Sequence, residues 1–326
     1  MKNNVLVKTR NLSVTFPMKK ESIFERRKYL KAVSGVSLEI MKGETFGLVG
    51  ESGCGKSTFA NTTLCLEKMS GGELFFDGVD LTKQDRSAVK AARLRMQKIF
   101  QDPAASLNPR FTVFEAISAP MRIRGGFDKA QIQEMTVEMA RAVGLGKDDL
   151  KRYASEFSGG QQQRIAIARA LILKPDYIVC DEPVSALDVS VHAQILNLLM
   201  ELQAKTGVTY LFISHNLAVV KRICSRLAIM YLGKIVEYGS AERIFANPLH
   251  PYTRALLSAV LPMRPGESGQ RMLLRGDASE AAGARKGCCF SARCPQAAEE
   301  CGSMSCELVE AEKGHLVACP FAGGQG

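Results

Sequence analysis

No run of about eighteen or more apolar residues occurs in this chain of 326, which excludes a helix long and apolar enough to span a bilayer. The first residues, Met-Lys-Asn-Asn-Val-Leu-Val-Lys, lack the apolar segment of an export signal, so the chain is expected to be neither secreted nor membrane-spanning. Cysteine is sparse over most of the length: Cys54, Cys65, Cys180 and Cys224 are scattered, while Cys288, Cys289, Cys294, Cys301, Cys306 and Cys319 crowd the end. Without an export signal, that crowding argues for metal ligation rather than disulfides. Two basic clusters, Lys19, Lys20, Arg26, Arg27 and Lys28, then Arg93, Arg95 and Lys98, lack the aromatic interleaving of the kind on which single-strand binders stack bases.

Hydrophobic residues at 46% and charged residues at 23% are those of an ordinary soluble globular protein. The length suits a core of about 230 to 260 residues with an appended segment. Lys and Arg outnumber Asp and Glu by 43 to 33, for a formal charge of +10 and a pI near 9.1. That balance suits an anionic partner such as a nucleotide, the cytoplasmic leaflet or nucleic acid, and equally a surface tuned for solubility.

The most specific feature is Gly50-Glu51-Ser52-Gly53-Cys54-Gly55-Lys56-Ser57, a complete G-x-x-x-x-G-K-[ST] phosphate loop. A glycine-rich turn entering a helix points backbone N–H groups at an anion, where the helix dipole favours it. Lys56 then reaches the β and γ phosphates and Ser57 ligands magnesium. The flanking pattern fits: Thr45 to Val49 reads as a strand and Lys56 to Leu66 as a helix.

Further strands are expected at Val36 to Ile40, Glu73 to Asp77 and Lys98 to Phe100, the last stopped before Pro103. Phe114 to Arg122 and Lys129 to Val143 place apolar residues at helical steps, which predicts an inserted helical subdomain at about 103–158. The helix Gly159 to Leu173, the strand Tyr177 to Cys180, the helix Val191 to Lys205 and the strand Val208 to Ile213 follow. Such alternation predicts a largely parallel sheet covered on both faces, with its nucleotide at the carboxyl ends of the strands. Leu227 to Leu232 and Lys234 to Tyr238, joined by Gly233, read as a closing hairpin. Pro262, Pro265, Gly266, Gly269, Gly276 and Gly283 mark a linker, so the expected division is a core at 1–262, a linker at 263–286 and a cysteine-rich segment at 287–326.

Asp181 and Glu182 follow an apolar strand, which suits Asp181 for magnesium and Glu182 for the general base. An acidic pair is also common at a helix start, His215 after a strand is as readily structural as catalytic, and Gln101 before Pro103 is as readily a turn cap. Ser158-Gly159-Gly160-Gln161 opens a second helix that carries no lysine. It suits the donation of a hydroxyl and N–H groups to a γ-phosphate held elsewhere, or a simple N-cap.

Together these residues resemble the nucleotide-binding subunit of an ABC transporter, over about residues 5 to 262. Gly50 to Ser57 match Walker A with Thr58 after it, Gln101 the Q-loop, Phe157 to Gln161 the signature, Tyr177 to Glu182 Walker B, Ser185 to Asp188 the D-loop and His215 the switch histidine. The resemblance implies an α/β P-loop NTPase domain, a mixed and mainly parallel sheet with flanking helices, and places Phe16 against adenine, with Tyr29 as the second candidate. It also implies magnesium on Ser57, Gln101 and Asp181, and a head-to-tail dimer in which Ser158 and Gly160 act in trans.

Phe157, where the general signature has leucine, resembles the variant of peptide-importer ATPases, and Asn247-Pro248-Leu249-His250-Pro251-Tyr252-Thr253 resembles the post-core motif of oligopeptide, dipeptide and nickel importers. Cys288, Cys294, Cys301 and Cys319, with five, six and seventeen residues between them, suit zinc or an iron-sulfur cluster, and the resemblance favours 4Fe-4S, with Cys289 and Cys306 extra. The implied assembly is this ATPase with a second cassette, a paralogue, two integral-membrane permease subunits and an extracytoplasmic solute-binding protein, on the cytoplasmic face of the inner membrane without nucleic acid. The alternative is a soluble ABC-type ATPase acting on nucleic acid or ribosomes.

Overall fold

The computed structural model describes residues 4–18, 28–83, 85–259, 274, 287–304 and 307–322. The expected linker lies outside the described residues apart from Leu274, and so do Cys306, Lys19, Lys20, Arg26 and Arg27. In chain order the elements are β1 (Val5–Pro17), β2 (Tyr29–Met41), β3 (Thr45–Val49), α1 (Lys56–Thr63), β4 (Gly71–Phe76), β5 (Val79–Asp80), α2 (Arg86–Arg93), β6 (Met96–Ile99), α3 (Pro103–Ser106), α4 (Val113–Arg124) and α5 (Lys129–Ala142). There follow α6 (Gly159–Leu171), β7 (Tyr177–Asp181), α7 (Val189–Thr206), β8 (Thr209–Ser214), α8 (Leu217–Ile223), β9 (Arg226–Tyr231), β10 (Lys234–Ser240), α9 (Ala241–Ala246), α10 (Pro251–Ser258), β11 (Val309–Glu312) and β12 (His315–Val317).

The chain divides into two compact units, one of Met1–Val7, Ile40–Glu44 and Phe75–Phe212, the other of Lys8–Glu39, Thr45–Leu74 and Ile213–Gly326. In the first, β6 pairs in parallel with β7, Lys98 opposite Val179, and β8 is the next neighbour of β7. Every residue of β7 is buried, as its apolar run requires. α6 packs on α3, α4, α5 and α7, and the Arg169 guanidinium donates to the Ser106 carbonyl at 2.6 Å. Capping boxes start α4 at Thr112 and Glu115 and α5 at Asp128 and Gln131, so both helices begin within a residue of the expected start. Pro103 opens α3 at its first turn, the position where its missing N–H costs nothing. α2, which was not among the expected elements, has no fully buried residue: Ala88, Val89 and Ala92 form a half-buried side and Asp85 caps it.

In the second unit β3 pairs in parallel with β9, β9 antiparallel with β10, β10 with β12 and β12 with β11. The predicted hairpin at Gly233 is therefore present, and it continues into two strands from the end of the chain. β2 runs further than the expected Val36 to Ile40: Val36, Leu38 and Ile40 alternate inward, and Val33, three residues before Val36, is buried as well.

The Asn247 to Thr253 run is fixed by one buried carboxylate. Glu237 on β10 accepts from the backbone N–H groups of Leu249 at 2.8 Å and His250 at 3.0 Å, and pairs with His315 Nε2 of β12 at 2.8 Å. His250 then caps α10: its Nδ1 accepts from the Tyr252 N–H at 3.1 Å, which requires an unprotonated nitrogen. Burial, aided by nearby Arg254, pushes the His250 pKa down to about 4. An unfolded imidazole titrates near 6.5, so between these values the unfolded chain binds a proton that the folded chain does not. Stability from this group is intact above about pH 6.5 and is lost as the pH falls towards about 4, by roughly 3 kcal/mol. His250→Asn keeps a capping oxygen without the titration; urea midpoints at pH 7.5 and 4.5 should differ less for this variant than for the parent chain.

Candidate active site

In the second unit, the all-buried β3 delivers the chain into the Gly50 to Ser57 loop and α1 leaves it. Gly55 is the N-cap at φ +108, and a Cβ there would lie 2.2 Å from the Ala32 carbonyl oxygen, so only glycine is accommodated. Lys56, 5% exposed, donates from Nζ to the carbonyls of Gly50 and Glu51, each at 2.7 Å. The loop is thus wound around its own lysine, with Ser52, Gly53 and Ser57 exposed and Thr58 half-buried. Phe16 lies half-buried on β1, Tyr29 is 58% exposed at the start of β2, and His215 is exposed after β8.

In the first unit, Asp181 is the last residue of β7 and Glu182 follows it. Lys98 Nζ lies 2.8 Å from the Asp181 carboxylate, with both side chains largely buried. Gln101 Nε2 donates to Glu182 Oε2 at 3.2 Å, so two of the predicted residues meet directly. Glu182 has φ +49, a left-handed conformation costly for a residue with a Cβ. The strand end therefore holds this carboxylate in an unfavourable backbone state, as functional positions commonly do.

The signature turn is on the same unit. Ser158 caps α6, and the Gln161 side chain accepts from its N–H and hydroxyl, each at 3.1 Å. Ser158, Gly159 and Gln161 are exposed, while Phe157 is buried with the Arg152 guanidinium 4.4 Å above its ring. A Cβ on Gly160 would come within 2.6 Å of Val191, on the first turn of α7, so the close approach of α6 to α7 demands glycine. Asp188, exposed, is the N-cap of α7.

At the end of the chain, Cys288 and Cys301 are buried, Cys294 and Cys319 half-buried, and the Cys288 N–H donates to the Cys301 carbonyl at 2.8 Å. Burial pushes the Cys294 thiol up, and Cys288, Cys319 and Cys301 add to it; Cys319 is raised by burial and then by Cys288 and Cys301. Thiols are donors that a soft metal or cluster takes. Among the described residues no three His, Cys, Asp or Glu side chains stand in a metal-holding arrangement. Cys289 is raised to about 11 by burial.

Three contacts had no sequence signal that named them: Lys98 on Asp181, the Tyr252 hydroxyl accepting from the Glu51 N–H at 3.0 Å, and Arg293 on the Glu51 carboxylate. Lys98 was visible only as one member of a basic cluster and Tyr252 only as part of a motif.

The architecture and loop chemistry are those of ATP-binding cassettes. A solved cassette dimer in a post-hydrolysis state bound to ADP and Pi is 28% identical, with a TM-score of 0.64 over 72% of this chain and 99% of that one. The profile described as ABC transporter matches residues 33–185, and the Oligopeptide/dipeptide transporter, C-terminal region, matches residues 236–301. An ATP-binding protein of Brucella ovis named for peptide import is 49% identical over 89% of this chain and 92% of its own length. The dipeptide transport ATP-binding protein DppF of Escherichia coli is 44% identical over 96% and 93%. The chain belongs to the ATP-binding subunits of ABC transporters, in the oligopeptide/dipeptide group, and is a transport ATPase. A soluble cassette acting on nucleic acid or ribosomes finds no support among these relatives. Among the described residues no helix is long and apolar enough to cross a membrane.

Proposed function

We propose that this chain hydrolyses ATP to drive the import of peptides or related solutes, as a peripheral subunit on the cytoplasmic face of the inner membrane. The observation that carries this reading is the union in one chain of six nucleotide motifs with the C-terminal region of oligopeptide and dipeptide transporters. Lys56 and the loop N–H groups hold the β and γ phosphates, and Phe16 stacks on adenine. Gln101, Ser57 and Asp181 supply the oxygen donors that suit magnesium, which neutralises charge on the phosphates when bound. Glu182, oriented by Gln101, takes the proton of the attacking water, and His215 senses the γ-phosphate. Gly159, Gln161 and Asp188 complete the face that Ser158 and Gly160 present in trans, so the chain alone is a poor ATPase. Two cassettes, the second a paralogue, close on ATP and move two permease subunits served by an extracytoplasmic binding protein.

The division at 1–262, 263–286 and 287–326 is retained in this reading, with the inserted helical subdomain at about 103–158 bearing the permease. A cavity of about 930 Å³ there is lined by Phe114, Val137 and Leu150 among charged side chains that include Glu134, Arg141 and Lys151. Cys288, Cys294, Cys301 and Cys319 would hold a 4Fe-4S cluster, a one-electron centre and a covalent tie for the segment, with zinc as the competing occupant.

The test is ATP hydrolysis by the transporter assembled with its permease and binding protein. Stimulation by peptides is expected, and its absence with copurifying nucleic acid would overturn the assignment. Absorbance near ~400 nm after anaerobic purification is expected of the cluster, whereas a colourless chain with stoichiometric zinc would exclude it.

A further inference from the structure

Glu51, the second residue of the phosphate loop, carries a carboxylate in a loop whose ligand is a polyanion. An uncompensated negative charge there would repel the phosphates, most strongly where water is excluded. The charge is matched by Arg293, 242 residues away and immediately before Cys294: one guanidinium nitrogen lies 2.7 Å from Oε2 and the other 3.1 Å from Oε1. This is the two-pronged geometry in which a guanidinium binds a carboxylate most strongly, and the Arg293 side chain is only 9% exposed.

Every polar group of Glu51 is held from a different place. Its N–H donates to the Tyr252 hydroxyl at 3.0 Å, its carbonyl accepts from Lys56 at 2.7 Å, and its carboxylate takes Arg293. Arg293 is itself fixed. Its N–H donates to the Phe290 carbonyl at 3.0 Å, and its guanidinium lies 5.9 Å from the centre of the Tyr231 ring. Phe290, 1% exposed, packs edge-on to Tyr231 at 5.2 Å and against Tyr252 at 5.4 Å. The arginine thus reaches the loop from a packed aromatic anchor, not from a mobile surface side chain.

We propose that Arg293 is a positioning residue of the ATP site: it cancels the charge of Glu51 and holds the phosphate loop in its anion-accepting form, which makes the cysteine-bearing segment a working part of nucleotide binding. The inference rests on the reading of Gly50 to Ser57 as the ATP loop. If it holds, any change that displaces residues 288–294 is felt as weaker ATP binding.

The experiment measures the affinity of the full-length chain for a fluorescent ATP analogue, together with ATP KM and kcat of the assembled transporter. Arg293→Ala should weaken binding and raise KM about tenfold while kcat at saturating ATP stays within about twofold. Arg293→Lys, which keeps the charge but not the fork, should give about threefold. In a Glu51→Gln background, where no carboxylate needs matching, each Arg293 substitution should cost less than about twofold. An Arg293 variant with the affinity and KM of the parent chain overturns the proposal. So does a loss of equal size in the Glu51→Gln background, the mark of general destabilisation. Where Arg293→Ala does not fold, Arg293→Lys across the two backgrounds decides the same question. Lys56→Ala serves as the control: retained binding there would refute the loop's role itself, a result separable from failure of the arginine.

Discussion

Replacing Glu182 with glutamine is expected to lower ATP turnover on the order of a thousandfold while leaving ATP binding in place. The substitution keeps the side-chain shape and removes the proton acceptor. Gln101 Nε2 now donates to Glu182 Oε2 at 3.2 Å, and a glutamine oxygen can accept the same bond, so the local arrangement should survive. With hydrolysis blocked and binding intact, the two cassettes should accumulate as an ATP-bound dimer. Phosphate release and size-exclusion chromatography with ATP read the two effects separately. Unaltered turnover would remove Glu182 from the role of general base. The left-handed backbone at Glu182, φ +49, carries a second expectation. Glu182→Gly should relieve local strain and so cost activity without costing stability, unlike most losses of a side chain.

Glu237→Ala is expected to cost about 3 to 5 kcal/mol of stability, and to lower the melting temperature by roughly 10 °C. Glu237 and His315 are both fully buried, and the carboxylate serves two backbone N–H groups as well as the imidazole. Removing it strands three partners without water, which costs far more than the net worth of any one bond. Glu237→Gln retains one acceptor oxygen and should lose about half as much. A melting temperature unchanged in both variants would show that the pair is not needed to hold β12 and the start of α10 on β10.

These cases separate what local pattern carries from what it cannot. The strand before the phosphate loop, the helix after it, the capped starts of α4, α5 and α6, and the hairpin at Gly233 were legible because each depends on residues within a few positions of one another. Gln101 and Glu182 were each singled out through resemblance to a known motif, but their meeting was not anticipated, since no spacing between them signals it. α2 was not anticipated although Ala88, Val89 and Ala92 stand at helical steps on its half-buried side, and β12 gave no warning that its His315 would end in the core against a glutamate 78 residues away. The cysteines showed their clustering in sequence, whereas their mutual electrostatic reach emerged only on folding.

The phosphate-loop motif is legible in a short stretch of chain. A turn with Gly55 at φ +108, a lysine after it and an oxygen donor after that fall within eight consecutive residues, although the Ala32 carbonyl of β2 also bars a Cβ at Gly55. The fold alone reveals how charges are balanced within each unit: Lys98 on Asp181 in one, and Arg293 on Glu51 across 242 residues in the other. An ion pair has no periodicity, and its partners are chosen by which strands and turns the fold brings together. The phosphate loop could therefore be read from eight residues, while the arginine paired with its glutamate had to be found in space.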